Sequence, residues 1–279
     1  MKAIISHDID HITAWEHLSK DTILPKFVAR SNIELFSGKI SIQEYMNRMR
    51  SFFTNKWQNI YELIDFNQSR KVPSSFFIGV QNGLGLSYSA ATAGLWIKLI
   101  LEKDCEIGAH GIAFENYSDV KQEHDLFQQL SALSHFGLRM HYVRKNEHTF
   151  SYMEKSGYTY DSTEHAFKNP YKIGNMWEFP FQIMDGWVIE KGQRWQTQNF
   201  EQAKENTKVL IEEAYKNNLN YLGIDFHDRY FSKSFKTWMD WYMWLVEYLQ
   251  QNKIECINFK GAMSELETRP LVHQALNNP

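Results

Sequence analysis

The sequence is poor in the features that would mark a disulfide scaffold, a membrane protein or a nucleic-acid binder. It has two cysteines in 279 residues. Cys105 and Cys256 stand far apart, neither lies in a Cys-x-x-Cys context, and each borders an apolar run. Both therefore read as small core residues rather than as a disulfide or a reactive thiol. A formal net charge of -3 leaves no basic excess to attract a phosphate backbone, which argues against a nucleic-acid partner and favours a neutral or amphipathic ligand. No apolar run is long enough for a transmembrane segment. The opening stretch MKAIISHDID runs straight into a strand pattern without the apolar core and small-residue cleavage site of a signal peptide, so a cytoplasmic protein is expected. Internal repeats and low-complexity linkers are also missing.

What is present is a large core. Hydrophobic residues make up 43%, aromatics 15% and charged residues 23% of the chain, ordinary for a soluble α/β domain rich in rings. Short apolar runs at 3–6, 74–79, 105–109, 138–142, 158–161, 177–183, 221–226 and 254–259 alternate with amphipathic stretches. That alternation predicts βα units, and the length suits a single (β/α) barrel of seven to eight mostly parallel strands. Helices are expected at 90–103, 121–136, 200–217 and 235–250. In the last of these Trp238, Trp241, Tyr242, Leu245, Tyr248 and Leu249 recur at three- and four-residue spacing, a stripe that reads as packing against the sheet rather than as a ligand box. Residues 12–71 are too long for one crossover. They read as a helical insertion with helices at 42–53 and 56–66, within one domain spanning 1–279, and as a lid, a substrate wall or a purely structural cover.

The candidate chemical residues fall at the C-terminal ends of five different predicted strands, the face on which barrel active sites lie. Asp8 and Asp10 follow the first strand within His7-Asp8-Ile9-Asp10-His11; His110 follows the third; Arg139, His141 and Arg144 lie in or after the fourth; Asp161 ends the fifth; His227 and Asp228 follow the seventh. Strand alternation places Asp8 and Asp10 on one face, where two carboxylates suit a divalent cation with a neighbouring base. The plainer alternative is that they cap loop amides. His110, between small residues, is a suitable nitrogen ligand, and His227 suits a general acid. His124, His135, His148 and His165 lack convergent partners and read as surface residues, as does His273 in the tail.

These residues resemble the NodB-homology polysaccharide deacetylases, the carbohydrate esterase family 4 superfamily, over most of the chain. Asp8-Ile9-Asp10 is similar to the family's first motif, Ser75-Phe76-Phe77-Ile78 to its second strand, His110 to the head of its second motif, Arg139-Met140-His141-Tyr142 to its third, and His227 to its late histidine motif. The stretch from Arg139 to Arg144, the run Gly157-Tyr158-Thr159-Tyr160-Asp161-Ser162-Thr163, and Glu178-Phe179-Pro180 through Met184-Asp185 resemble a divergent branch associated with bacterial surface-polysaccharide clusters. Two positions depart from the family pattern: Ile9 separates the two acids, and Phe114 stands where a third metal ligand is usual. The resemblance implies an irregular α/β barrel that removes acetyl groups from N-acetylated sugars. It implies a divalent metal, zinc first, held by Asp10 and His110, with Asp8 as base (or the two aspartates in reversed roles), Arg139 beside that base and His227 as acid. Glu115, Asn116, His141, Tyr142, Arg144 and Asp161 remain open as third ligand or substrate contacts, and Asp161 or Asp225 as the partner of the late histidine. Two other readings compete. Asp8-Ile9-Asp10 is also an Asp-x-Asp pattern, as in metal-dependent glycosyltransferases that bind sugar nucleotides, and Phe114 fits a catalytically silent glycan-binding barrel.

Overall fold

Alternation along the first apolar run sets the architecture. The structure, a computed structural model, describes residues 1–268. In β1 (Lys2–Ile9) Ala3, Ile5 and Ile9 join the main core under the helices, while Ile4 joins a separate cluster on the opposite face and Asp8 shares that face. The chain continues through α1 (Ile23–Phe36), α2 (Ile42–Thr54), α3 (Ile60–Ser69), β2 (Ser74–Ile78), α4 (Ala90–Leu101), β3 (Glu106–Gly111), α5 (Tyr117–Ser131), β4 (Gly137–Met140) and α6 (Thr149–Ser156). The second half comprises β5 (Tyr160–Asp161), β6 (Tyr171–Ile173), β7 (Met176–Glu178), β8 (Ile183–Met184), α7 (Asp185–Glu190), α8 (Phe200–Lys216), β9 (Tyr221–Asp225), α9 (Lys236–Gln251) and α10 (Phe259–Thr268).

The strands form one sheet in the order β6-β7-β5-β4-β3-β2-β1-β9-β8, parallel except for the β6–β7 pair. Residues 176–184 pair with β5 at their start and with β9 at their end. Pro180 lies between the two pairings and interrupts the ladder, since proline lacks the amide donor. One irregular run thus brings the two ends of the sheet together, and the sheet curls into a barrel of the expected class. Crowding inside requires glycine at Gly137, where a Cβ would lie 2.1 Å from the Tyr160 ring. Ile4, Phe77, Tyr160, Phe179, Tyr221 and Phe259 fill the interior. Glu106, at the start of β3, accepts hydrogen bonds from the Phe259 and Lys260 amides and so fixes α10 against this apolar end. Polar chemistry is left to the other end.

Helix α9 buries Trp238, Trp241, Tyr242, Leu245, Val246 and Leu249, with Tyr242 stacked 4.3 Å from Phe226 behind β9. The aromatic stripe is core, as its spacing predicted, and each such side chain contributes roughly 1.5–3 kcal/mol. The expected last strand at 254–259 is reduced to a single bridge between Ala3 and Cys256 before α10 begins. Within the long segment after β1, α3 buries Ile60, Leu63, Ile64 and Asn67 and serves as the crossover to β2. The helices α1 and α2 are held by a buried pairing of Glu34 with Arg48, while Arg48 Nε donates to the Ser234 carbonyl at 2.7 Å. Among the described residues no helix is long and apolar enough to cross a membrane.

Candidate active site

Three acceptor atoms converge where β1, β3 and β4 end. Asp10 Oδ1 lies 3.2 Å from His110 Nε2 and 3.3 Å from His141 Nδ1, and the two ring nitrogens are 3.0 Å apart. The far nitrogen of each ring faces a carbonyl, His110 Nδ1 that of Arg139 at 3.1 Å and His141 Nε2 that of Leu84 at 3.2 Å. A carbonyl can only accept, so each ring spends its proton there, and in the neutral tautomers both inner nitrogens present lone pairs. Asp10 Oδ1 is buried without a hydrogen-bond partner. No lysine or arginine among the described residues pairs with Asp10; its neighbours are the imidazoles of His110, His141 and His227. Three acceptors facing one another need a positive charge between them. A proton on one imidazole would serve, and so would a divalent ion. The spacings match the roughly 3.3 Å between donors of a tetrahedral site with bonds of about 2.0–2.1 Å. The donor set of two imidazoles and a carboxylate therefore fits a zinc-like ion, with His141, just past the end of β4, standing where it could serve as the third donor in place of Phe114.

A second group lies beside it. Asp8, Asp225 and His227 also bring ligand atoms within 4.8 Å of one another, but here a cation is built in. Arg139 Nη1 is 3.1 Å from Asp8 Oδ1 and 2.8 Å from Asp225 Oδ1. Its Nε and Nη2 donate to the Ser162 carbonyl and hydroxyl, each at 3.0 Å, and the guanidinium lies over the Phe77 and Phe181 rings. Burial works against an ionised Asp8, yet the charges of His110, Arg139 and His227 hold its carboxyl below the usual range. Asp225 is pushed up to about 7, by burial first and by Asp8 second. The site thus pairs a carboxylate kept ionised with one that readily holds a proton.

His227 is oriented by a residue that the sequence reading did not single out for this role. Asp185, fully buried at the start of α7, accepts from the His227 amide at 2.8 Å and lies 3.0 Å from its Nδ1. That fixes a proton on Nδ1 and turns Nε2 toward Asp10 Oδ2, 3.7 Å away. Burial alone would lower the imidazole pKa, but Asp185 and Asp225 raise it well above its ordinary value. His227 and Asp10, at 20% and 19% side-chain exposure, are the open edge of the group, whereas Asp8, His110, Arg139 and His141 are all at 4% or less.

Other expected residues sit elsewhere. Asp161 faces away from the centre, accepting hydrogen bonds from the Thr163 amide and hydroxyl. Asn116 caps α5 by accepting from the Asp119 amide, and Glu115 is exposed. Arg144 ties the loops after β3 and β4 together through the Ile112 carbonyl and covers Phe114. Tyr142 is exposed beside His141, with its backbone in the left-handed region at φ 57°. Asp228 is buried and accepts from the Asn59 amide. His7 points to the outer face, between the Phe226 carbonyl and Asn67, where burial lowers its pKa to about 3. His124 is buried against Phe136 and Tyr158 rather than on the surface, because α5 packs that face inward. His273 lies outside the described residues.

No protein-family model matches the chain, and no curated protein matches it in sequence. Solved structures do match its fold. A Mycobacterium smegmatis protein assigned as a polysaccharide deacetylase superposes with a TM-score of 0.65 at 13% identity, over 100% of this chain and 94% of that one. A Pseudomonas aeruginosa PAO1 protein assigned likewise gives 0.61 at 16% identity, over 97% and 91%. The PuuE allantoinase gives 0.61 at 15% identity, over 96% and 90%. The chain has the barrel fold of these proteins.

Proposed function

We propose that the chain is a single-domain, metal-dependent carbohydrate deacetylase that hydrolyses the acetamide of an N-acetylated sugar, as part of a bacterial surface glycan or its precursor. One observation carries this reading: a cation-seeking triple, Asp10, His110 and His141, stands between an ionised carboxylate, Asp8, and a protonated imidazole, His227. Amide hydrolysis needs a base for the incoming water and an acid for the departing nitrogen. The two deacetylase-assigned neighbours and the allantoinase agree with a fold suited to cleaving carbon–nitrogen bonds.

Asp10, His110 and His141 would hold the ion, zinc being the first to test and the cytoplasm the compartment. When bound, it would supply Lewis-acid polarisation of the acetyl carbonyl and of the attacking water. Asp8 takes the proton of the attacking water as the oxygen adds to the carbonyl carbon. Arg139 keeps Asp8 ionised and aimed through a charge-assisted contact. His227 passes its Nε2 proton to the sugar nitrogen as the C–N bond breaks, while Asp185 holds the Nδ1 proton in place. The products are acetate and a free amino sugar, so water is consumed and atoms balance. Tyr142, exposed at the rim, is the first residue that an arriving sugar ring would meet.

The Asp-x-Asp reading requires both acids to face one metal-bound nucleotide. Asp8 is instead engaged by a guanidinium at 3.1 Å, with His110 3.8 Å away, whereas Asp10 faces two imidazoles at 3.2 and 3.3 Å.

The test is acetate release from a panel of N-acetylated sugars by protein loaded with zinc. His227→Ala should retain bound metal and lose roughly 10²–10⁴-fold in turnover, the usual worth of a positioned acid. His110→Ala should lose the ion at Asp10 together with turnover. A His227→Ala protein as active as the parent would refute the assignment.

A further inference from the structure

A third histidine and carboxylate group lies just beyond Asp10 and has no part in the proposed chemistry. His11, Glu16 and His17 each bring one ligand atom within 4.8 Å of the others. His17 is 1% exposed, and its Nε2 is buried without a hydrogen-bond partner. That nitrogen faces Glu16 Oε1 at 3.4 Å but is not hydrogen-bonded to it. Its other nitrogen, Nδ1, is 2.7 Å from Asp21 Oδ2, and the same carboxylate oxygen accepts from the Ser87 hydroxyl. Asp21 therefore holds the His17 proton on Nδ1 and leaves a lone pair on Nε2, directed at the Glu16 carboxylate. His11 Nδ1 is also buried without a partner, and the His11 and His17 rings meet edge to face at 4.7 Å.

The turn is built as a holder. Glu16 Oε1 accepts from the Ile12 amide and Oε2 from the Thr13 amide, both at 2.9 Å, which fixes the carboxylate relative to the backbone. His11 and His17 pack on Trp57, giving the rings an apolar wall. No lysine or arginine among the described residues pairs with Glu16; Arg229 lies on the Trp57 ring, 3.7 Å from its centroid, without an ion pair to the carboxylate.

We propose that His11, Glu16 and His17 form a second divalent transition-metal site, separate from the one at Asp10, that clasps the turn after β1 and thereby fixes the neighbouring Asp10. Two imidazoles and one carboxylate select zinc or a similar borderline ion over magnesium or calcium, which prefer all-oxygen shells. The clasp would act on position rather than chemistry: Asp10 adjoins His11, and Asp21 ties the turn to the segment before α4 through Ser87.

The test is metal stoichiometry on the full chain, stripped with chelator and dialysed against zinc, then measured by elemental analysis. The expected result is two zinc ions per chain in the parent and one in His110→Ala. Glu16→Gln, which keeps a side-chain acceptor for the Ile12 amide, and His17→Ala should each also retain one. The doubly altered His110→Ala, Glu16→Gln protein should retain none. Zinc should raise the melting temperature of His110→Ala but not of the double variant. The proposal is overturned if the parent binds one ion that His110→Ala abolishes, or if Glu16→Gln and His17→Ala both bind as much zinc as the parent. These outcomes are independent of deacetylase activity, so an inactive protein with two zinc ions would sink the proposed function and leave this site standing.

Discussion

Two groups of charge lie side by side at the polar end of the barrel, and they solve the same electrostatic problem differently. Around Asp8 and Asp225 the chain supplies its own cation, with Arg139 between the carboxylates and anchored on Ser162. Around Asp10 it supplies imidazoles in place of a fixed cation: His110 and His141 each turn one nitrogen to a carbonyl and the other to the carboxylate, and His227 faces its second oxygen. The contrast shows why spacing alone cannot identify a metal site: both groups satisfy the same distance criterion. What separates them is whether a permanent positive charge is already present.

Removing Arg139 should have the largest effect on the molecule. In Arg139→Met the two buried carboxylates lose the fixed cation between them, and stripping one partner from a buried ion pair costs about 3–5 kcal/mol. Arg139→Lys, which keeps the charge but not the forked contacts to Ser162, should lose less. His110→Ala, measured in chelator, removes one of three mutually facing acceptors and should cost less than Arg139→Met. Denaturant midpoints of the three proteins test the order. If His110→Ala proved the most damaging in metal-free buffer, the Asp10 group would be the one with internal charge balance.

Which residues end up in which group was only partly legible in the sequence. The alternation that faces Asp8 and Asp10 inward, and the placement of His110, Arg139 and His227 at strand ends, follow from local pattern alone. His141 was one of several open choices, because its role depends on where β4 stops: the strand ends at Met140, and the backbone then turns sharply through Tyr142 and Val143 at φ 57° and 52°. Asp185 stood within a run of recognised resemblance, yet its pairing with His227 depends on residues 176–184 crossing from β5 to β9, a long-range closure that no local window encodes. Residues 254–259 carry a strand's composition but give only a bridge at Ala3. His7 lies in the same five-residue cluster as the two acids, and the period of two sends it outward.

A buried carboxyl with neither an ion-pair partner nor a metal site responds to pH instead. Glu123 on α5 is buried and accepts from the Ile112 and Ala113 amides, which shapes the loop after β3. Burial raises its pKa to about 7, with the amides opposing. Its folded value lies above its unfolded one, so the stability it contributes is complete below the ordinary glutamate range and is lost as pH rises through about 7. Glu123→Gln, which mimics the neutral form, should flatten the fall in stability between roughly pH 5 and 8 by up to about 3 kcal/mol. Melting curves across that range give the check. An unchanged slope would mean that Glu123 is ionised in the fold throughout.

The smallest effect concerns membership of the cation-seeking group itself. Asn116 follows the Phe114 position where a third ligand is usual, and the sequence left it open as that ligand. In the fold its side chain accepts from the Asp119 amide at 3.0 Å and starts α5. A cap contributes about 1 kcal/mol, because it satisfies an amide that the helix cannot. Asn116→Ala should therefore lower the melting temperature by a few degrees, as expected for a chain of this size, with zinc stoichiometry and turnover unchanged. His141→Ala should do the reverse, losing metal at a modest cost in stability. Loss of zinc from Asn116→Ala would return the third ligand to the loop after β3 and remove His141 from the group, which makes this pair of variants the finest discriminator of which side chains complete the Asp10 site.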